Sequence, residues 1–207
     1  MERVQSGNWA SRLRRFLTVA EEEHCDFCSK TINWRHAHLL ERATRKFFCA
    51  CPECAFLLGD GDRFAALRAR THALRDFELS DSEWRAFRIP IDLAFVFHST
   101  SAQGPVAIYP GPAGATESLL AADAWSRLAA ANPALVDLTP DVEALLVNRM
   151  NGSREYYVVS IDRCYALVGL IRRHWRGLSG GTEVWEAVRA YFRTLRDGIE
   201  MEDAVHG

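Results

Sequence analysis

Four cysteines carry the clearest chemistry in this 207-residue chain. Cys25-Asp-Phe-Cys28 and Cys51-Pro-Glu-Cys54 are two C-x-x-C pairs, separated by a stretch that reads as a hairpin. Each pair can present two thiolates on one tight turn, and two such turns close a tetrahedron of sulfur around one ion. The expected ion is zinc, one per chain, with Cys25, Cys28, Cys51 and Cys54 as its ligands. A closed four-sulfur site offers no position to a substrate, so its chemistry is structural.

Other donors lie between the pairs. Cys49 precedes Cys51 by two residues, and His36 and His38 alternate along a strand-like run. Any of the three can replace one thiolate without breaking a tetrahedron, so they stand as alternative ligands. Two knuckles of this kind can also hold a single iron, as in a rubredoxin. Against iron, Ser29 and Ala55 follow the two pairs where rubredoxin-type knuckles favour glycine. Cys164 falls on an apolar helix stripe and reads as a core residue. No serine–histidine–aspartate set and no paired carboxylates stand out, so no catalytic residue is assigned.

The elements that must hold these donors follow from pattern and punctuation. Residues 1–24 read as an N-terminal amphipathic helix, with Trp9, Leu13, Phe16, Leu17 and Ala20 at helical spacing over about 8–22. Residues 25–58 form the metal module, a knuckle, a hairpin and then a helix opened by Pro52 and stopped by Gly59. That order is a treble clef; a plain zinc ribbon is the alternative. Residues 59–83 read as a linker, ambiguous between helix and extended chain over 63–78, ending in a short helix with the capping box Ser80-x-x-Glu83.

Residues 84–198 read as an α+β domain with an antiparallel sheet, followed by a fraying tail over 199–207. Strands are expected at 91–99 and 106–109, and at 142–150 and 155–160 around Asn151-Gly152. Helices are expected at about 117–131, from Ile161, and along the stripe Val184, Trp185, Val188, Tyr191, Phe192 and Leu195. This domain is expected to fold independently of the metal.

Composition excludes some functions. The formal net charge is -2, which gives no global attraction to nucleic acid or an acidic membrane. A nucleic-acid-binding zinc protein is therefore a poorer reading than a protein-binding one. No run of about 18 apolar residues is present, as a membrane span would need. Without an apolar leader-like core at its start, the chain is expected in the cytoplasm, where cysteines favour metal over disulfides. Two stretches could dock a protein partner. One is the proline- and glycine-rich run with Tyr109, Pro110, Pro112 and Glu117, expected to be a stiff loop with Thr116 capping the next helix. The other is the cationic run Arg172, Arg173, Trp175 and Arg176.

Several strings together suggest a family. Cys25-x-x-Cys28, His36-x-His38-Leu-Leu and Cys49-x-Cys51-x-x-Cys54 open the pattern. Tyr109-Pro110-x-Pro112-Ala-Gly-Ala-Thr-Glu117, Asp141-Val-Glu-Ala-Leu-Leu-Val147 and Trp175-Arg-Gly-Leu-Ser-Gly-Gly181 continue it. Over about residues 12–197 the chain resembles an uncharacterised bacterial family associated with the gene clusters of nickel–iron uptake hydrogenases. The resemblance implies an accessory or maturation role, with a hydrogenase subunit or another maturation factor as partner. It carries no catalytic residues.

Overall fold

The computed structural model describes residues 23–33, 36–67, 71–111, 114–177 and 180–206, with 199–206 described by backbone alone. The helix expected over 8–22 lies outside these residues, as does Pro112.

The cysteine end begins with a short antiparallel pair, β1 (Glu23–His24) and β2 (Thr31–Ile32), that brackets the first C-x-x-C turn. β3 (Ala37–Glu41) and β4 (Lys46–Ala50) form the expected hairpin, turning at Arg45 with a φ of 53°. α1 (Pro52–Leu58) follows, with Pro52 in its first turn and Gly59 as C-cap. Gly59 is needed for close approach: a Cβ there would lie 2.6 Å from the Cβ of Ala66. The order is thus knuckle, hairpin, helix.

Within the stretch left ambiguous at 63–78, two short strands form and no helix among the described residues. β5 (Phe64–Leu67) joins β3 to complete a three-stranded sheet, β4-β3-β5. β6 (Thr71–Ala73) pairs with a strand far along the chain and forms one edge of the main sheet. α2 (Asp81–Ala86) has the expected capping box, with Ser80 and Glu83 exchanging side-chain and backbone bonds.

The main sheet is six-stranded and antiparallel throughout, in the order β6-β11-β10-β7-β8-β9. Its strands are β7 (Leu93–Ser99), β8 (Gly104–Gly111), β9 (Gly114–Leu119), β10 (Glu143–Asn148) and β11 (Glu155–Ser160) with β6. α3 (Ala122–Ala131), α4 (Ile161–His174) and α5 (Gly181–His206) complete the fold. The α+β class with antiparallel sheets is therefore the observed one.

Both faces of the main sheet are buried, which explains why its strands read as unbroken apolar runs. Leu93, Phe95 and Phe97 point into one core with Leu167, Ile171, Val188 and Phe192 of α4 and α5. Ala94 and Val96 point into the other, with Trp84 of α2, Leu128 of α3 and Leu135. Leu40, Ala65 and Leu67 from the three-stranded sheet enter the first of these cores. Phe47 meets Tyr165 edge-on across the same seam, with ring centroids 5.3 Å apart.

Three sequence expectations need correction. Residues 114–119 are strand β9, paired with β8, and the helix that follows starts only at Ala122. Its N-cap is Ala121, which supplies no side-chain bond, so Thr116 caps nothing. Of the stiff loop expected at 110–114, Pro110, Gly111 and Gly114 belong to the β8–β9 pairing, with Pro110 opposite Ala115 and Gly111 opposite Gly114. Finally, the backbone of α5 stays helical past Gly198 to His206.

Candidate metal centre

The knuckle forms because the chain from Cys25 folds back on itself at once. Ser29 N–H donates to Cys25 O, and Cys25 N–H donates to Lys30 O, each at 2.9 Å. Ser29 closes the turn with a φ of 61°, the left-handed region usually given to glycine. Asp26 then fastens the knuckle to β4. Its N–H donates to Cys49 O at 2.8 Å, and its carboxylate accepts from Cys49 N–H at 2.7 Å.

The second pair is set by the start of α1. Cys51 is the N-cap, and its sulfur accepts from Cys54 N–H at 3.5 Å. One helical turn brings Cys54 back beside Cys51. Across the site, Lys30 Nζ donates to Glu53 Oε1 at 2.8 Å and ties the two knuckles at their exposed rim.

The sulfurs of Cys25, Cys28, Cys51 and Cys54 consequently lie within 4.8 Å of one another. Cys28 Sγ and Cys51 Sγ are 3.7 Å apart. A tetrahedral ion with metal–sulfur bonds of about 2.3 Å would separate neighbouring sulfurs by about 3.8 Å. The four donors therefore fit an ion of that kind. Cys25 and Cys51 are buried, Cys54 is partly buried and Cys28 is exposed.

The electrostatics suit a cation. Burial pushes the Cys25 thiol up, but backbone N–H groups from Cys51, Phe27 and Cys28 outweigh it and bring it down to about 6. Cys54 goes the other way, pushed up to about 12 by the Cys51 sulfur and by burial. For Cys51 the Cys54 N–H acts downward, but the Glu53 carboxyl and burial carry the thiol up. The Cys25 thiolate is easy to form, and those of Cys51 and Cys54 are costly. A divalent ion supplies the charge that removes that cost.

Cys49, His36 and His38 do not enter the four-sulfur group. Their ligand atoms form a second group, again within 4.8 Å of one another. His36 Nε2 and His38 Nε2 face each other at 3.1 Å. His38 Nδ1 lies 2.9 Å from Asp162 Oδ2, at the start of α4. His36 Nδ1 lies 2.8 Å from Asn33 O and 3.1 Å from Glu23 Oε2. Asp162 and Glu23 were missed in the sequence. Asp162 is 124 residues from His38, and no local pattern links them.

The remaining candidates are spread out. Tyr109 is half-buried and packs against the second core, and Pro110 is buried within β8. Glu117 is exposed on β9 and accepts from Arg45 Nη2 at 2.8 Å. Trp175 is engaged inside the fold, its indole N–H on Gly177 O at 2.9 Å and its ring against Trp185. Arg172, Arg173 and Arg176 are exposed at the C-terminal end of α4, where cations oppose the helix dipole. Cys164 is fully buried, and desolvation raises its thiol well above the ordinary value. Phe56 and Leu57 on α1 are 85% and 77% exposed, a surface the sequence did not single out.

No curated protein and no solved structure matches the chain. Residues 24–199 match the family of unknown function DUF5947, and the chain belongs to that family.

Proposed function

We propose that this DUF5947 member is a zinc-stabilised binding or assembly protein of the cytoplasm, with a treble-clef-like module as its metal-bearing part. The supporting observation is the four-thiolate cluster, whose 3.7 Å sulfur contact suits a tetrahedral ion closed to substrate. Such a site stabilises a surface and leaves the work to contact. The exposed pair Phe56 and Leu57 sits on the helix that the metal would anchor. The exposed Glu117 on the β8–β9 hairpin and the exposed cations Arg172 and Arg173 are further docking surfaces.

The partner class follows from the resemblance of the motifs. The protein serves as an accessory or maturation factor for a nickel–iron hydrogenase and binds a subunit of that enzyme or another maturation factor. Deleting the gene is expected to impair hydrogenase assembly and activity, and the wild-type gene is expected to restore both. A Phe56→Ser, Leu57→Ser variant should leave the metal in place and fail to restore them. Arg172→Glu with Arg173→Glu should weaken the complex while changing stability by no more than about 0.5 kcal/mol, the scale of surface substitutions. Full hydrogenase activity in the deletion strain would overturn the role. An iron redox reading of the same cysteines would instead give a coloured protein, and a nucleic-acid reading would give salt-dependent retention on DNA or RNA.

A further inference from the structure

We propose that His36, His38 and Cys49 form a second metal site, distinct from the four-cysteine centre, that takes a borderline divalent transition ion on three ligands from among the described residues. The inference does not rest on the assembly role proposed above. It goes beyond the expectation of one zinc per chain, which rested on the four thiolates.

His38 Nδ1 faces a carboxylate oxygen of Asp162 at 2.9 Å, and a carboxylate only accepts. His36 Nδ1 faces two acceptors, Asn33 O at 2.8 Å and Glu23 Oε2 at 3.1 Å. Both Nδ1 atoms are therefore the protonated ones, and in neutral rings both Nε2 atoms carry a lone pair. Those lone pairs meet at 3.1 Å. Two acceptors at that distance repel unless a cation lies between them, and the cation is either a proton or a metal ion.

The surroundings favour the metal. Cys49 supplies a sulfur within 4.8 Å of both nitrogens. A shared proton needs no third donor, whereas a metal does. An ion bonded at about 2.0–2.1 Å to two imidazoles in tetrahedral geometry would separate them by about 3.3–3.4 Å. The observed spacing is a few tenths of an ångström short of that. Metal-bound histidines characteristically donate their other N–H to a carboxylate or carbonyl, which fixes ring and tautomer. Both histidines here have that arrangement. Asp162 is itself held, accepting from Arg163 N–H at 2.9 Å. Cys49 is held through its backbone by Asp26.

The donor set also selects the ion. Two imidazoles and a thiolate suit zinc, cobalt, nickel or copper and do not suit calcium or magnesium. With three ligands among the described residues, a fourth position would fall to water or an exogenous ligand, the pattern of catalytic zinc sites. On binding, the Cys49 thiol proton passes to solvent. Because Asp162 belongs to α4, an ion here would also tie β3 and β4 to the main domain.

The test is a cobalt titration of the full chain already carrying one equivalent of zinc. One further equivalent should bind, with visible bands of four-coordinate cobalt and a sulfur charge-transfer band of one-thiolate intensity. Cys49→Ser should remove the charge-transfer band, and His38→Ala should abolish binding of that equivalent. Asp162→Asn, which leaves all three ligands in place, should weaken it about 10–100-fold. No second equivalent in the wild-type chain would overturn the proposal and leave a proton shared by the two imidazoles. A second equivalent indifferent to all three substitutions would overturn it as well.

Discussion

At Cys54 and Cys25 the chemistry of the metal centre reduces to a competition for protons. Cys54 is held up at about 12 and Cys25 down at about 6. A metal that takes four thiolates must displace the protons still on the raised ones. Metal affinity should therefore fall as pH falls, and binding should release protons at neutral pH. Calorimetry in two buffers of different ionisation enthalpy measures that release, and a pH-independent affinity with no release would contradict the reading. Ser29 makes a second residue-scale prediction. Its φ of 61° costs an L-residue about 1–2 kcal/mol. Ser29→Gly should relieve part of that and raise the midpoint of metal-loaded unfolding. The glycine rule used against iron in the sequence is thus weaker than it looked, because serine holds the same turn.

Away from the metal, Arg149 shows how a buried charge depends on one partner. Its side chain is 3% exposed and ion-paired with Asp81, which also pairs with Arg154. Arg154 and then Arg149 hold the Asp81 carboxyl below its ordinary range. A carboxyl lowered in the folded state adds stability above its unfolded pKa, and that stability is lost as pH falls through the lowered folded value. Asp81→Ala should lower the melting temperature at neutral pH more than Arg149→Met, because it strands a buried guanidinium where the other change removes both problems. The reverse order in thermal melts would show that Arg149 finds another counter-charge.

At the scale of elements, the seam between the two sheets decides how the cysteine end is held. Leu40 on β3 is 1% exposed and belongs to the core formed by Phe97, Leu167 and Val188. Leu40→Ala should cost about 2–5 kcal/mol, read as a shift in denaturant midpoint. Gly180, at a φ of 88°, immediately precedes α5, where a Cβ would lie 2.8 Å from Cγ1 of Val184. Gly180→Ala should therefore cost about 1–3 kcal/mol. Several helices were legible in the sequence because their signals are local. The capping box of α2, the proline of α1 and the apolar stripe of α5 each sit within one element. β5, β6 and β9 were not, for physical reasons. β5 and β6 are four and three residues long, too short for any period to show. β9 carries Thr116, Glu117 and Ser118 on a sheet edge, so burial imposes no alternation on it. Pairing with β8 makes it a strand, and pairing is invisible before the chain folds. The four-cysteine centre was legible because its ligands are grouped in two short motifs. The second group was legible only as loose alternatives, since Asp162 reaches it from across the seam.

Taken whole, the molecule joins a three-stranded cysteine-bearing sheet to a main sheet buried on both faces. We propose that residues 84–198 fold without the metal module and gain stability from the seam. A fragment of those residues loses β6, Leu40, Ala65 and Leu67. It should unfold cooperatively at a lower temperature than the full chain, and a fragment unfolded by circular dichroism would make the two parts one core. Among the described residues, no helix is long and apolar enough to cross a membrane.

The most direct test of the central claim is elemental analysis of the full chain, purified without chelators, in the wild type and in two variants. The account predicts a colourless protein whose four-cysteine zinc is tightly held, retained by His38→Ala and lost by Cys54→Ala, which should also disorder residues 24–58. A wild-type protein with no metal, or one whose zinc content is unchanged by Cys54→Ala, would contradict it.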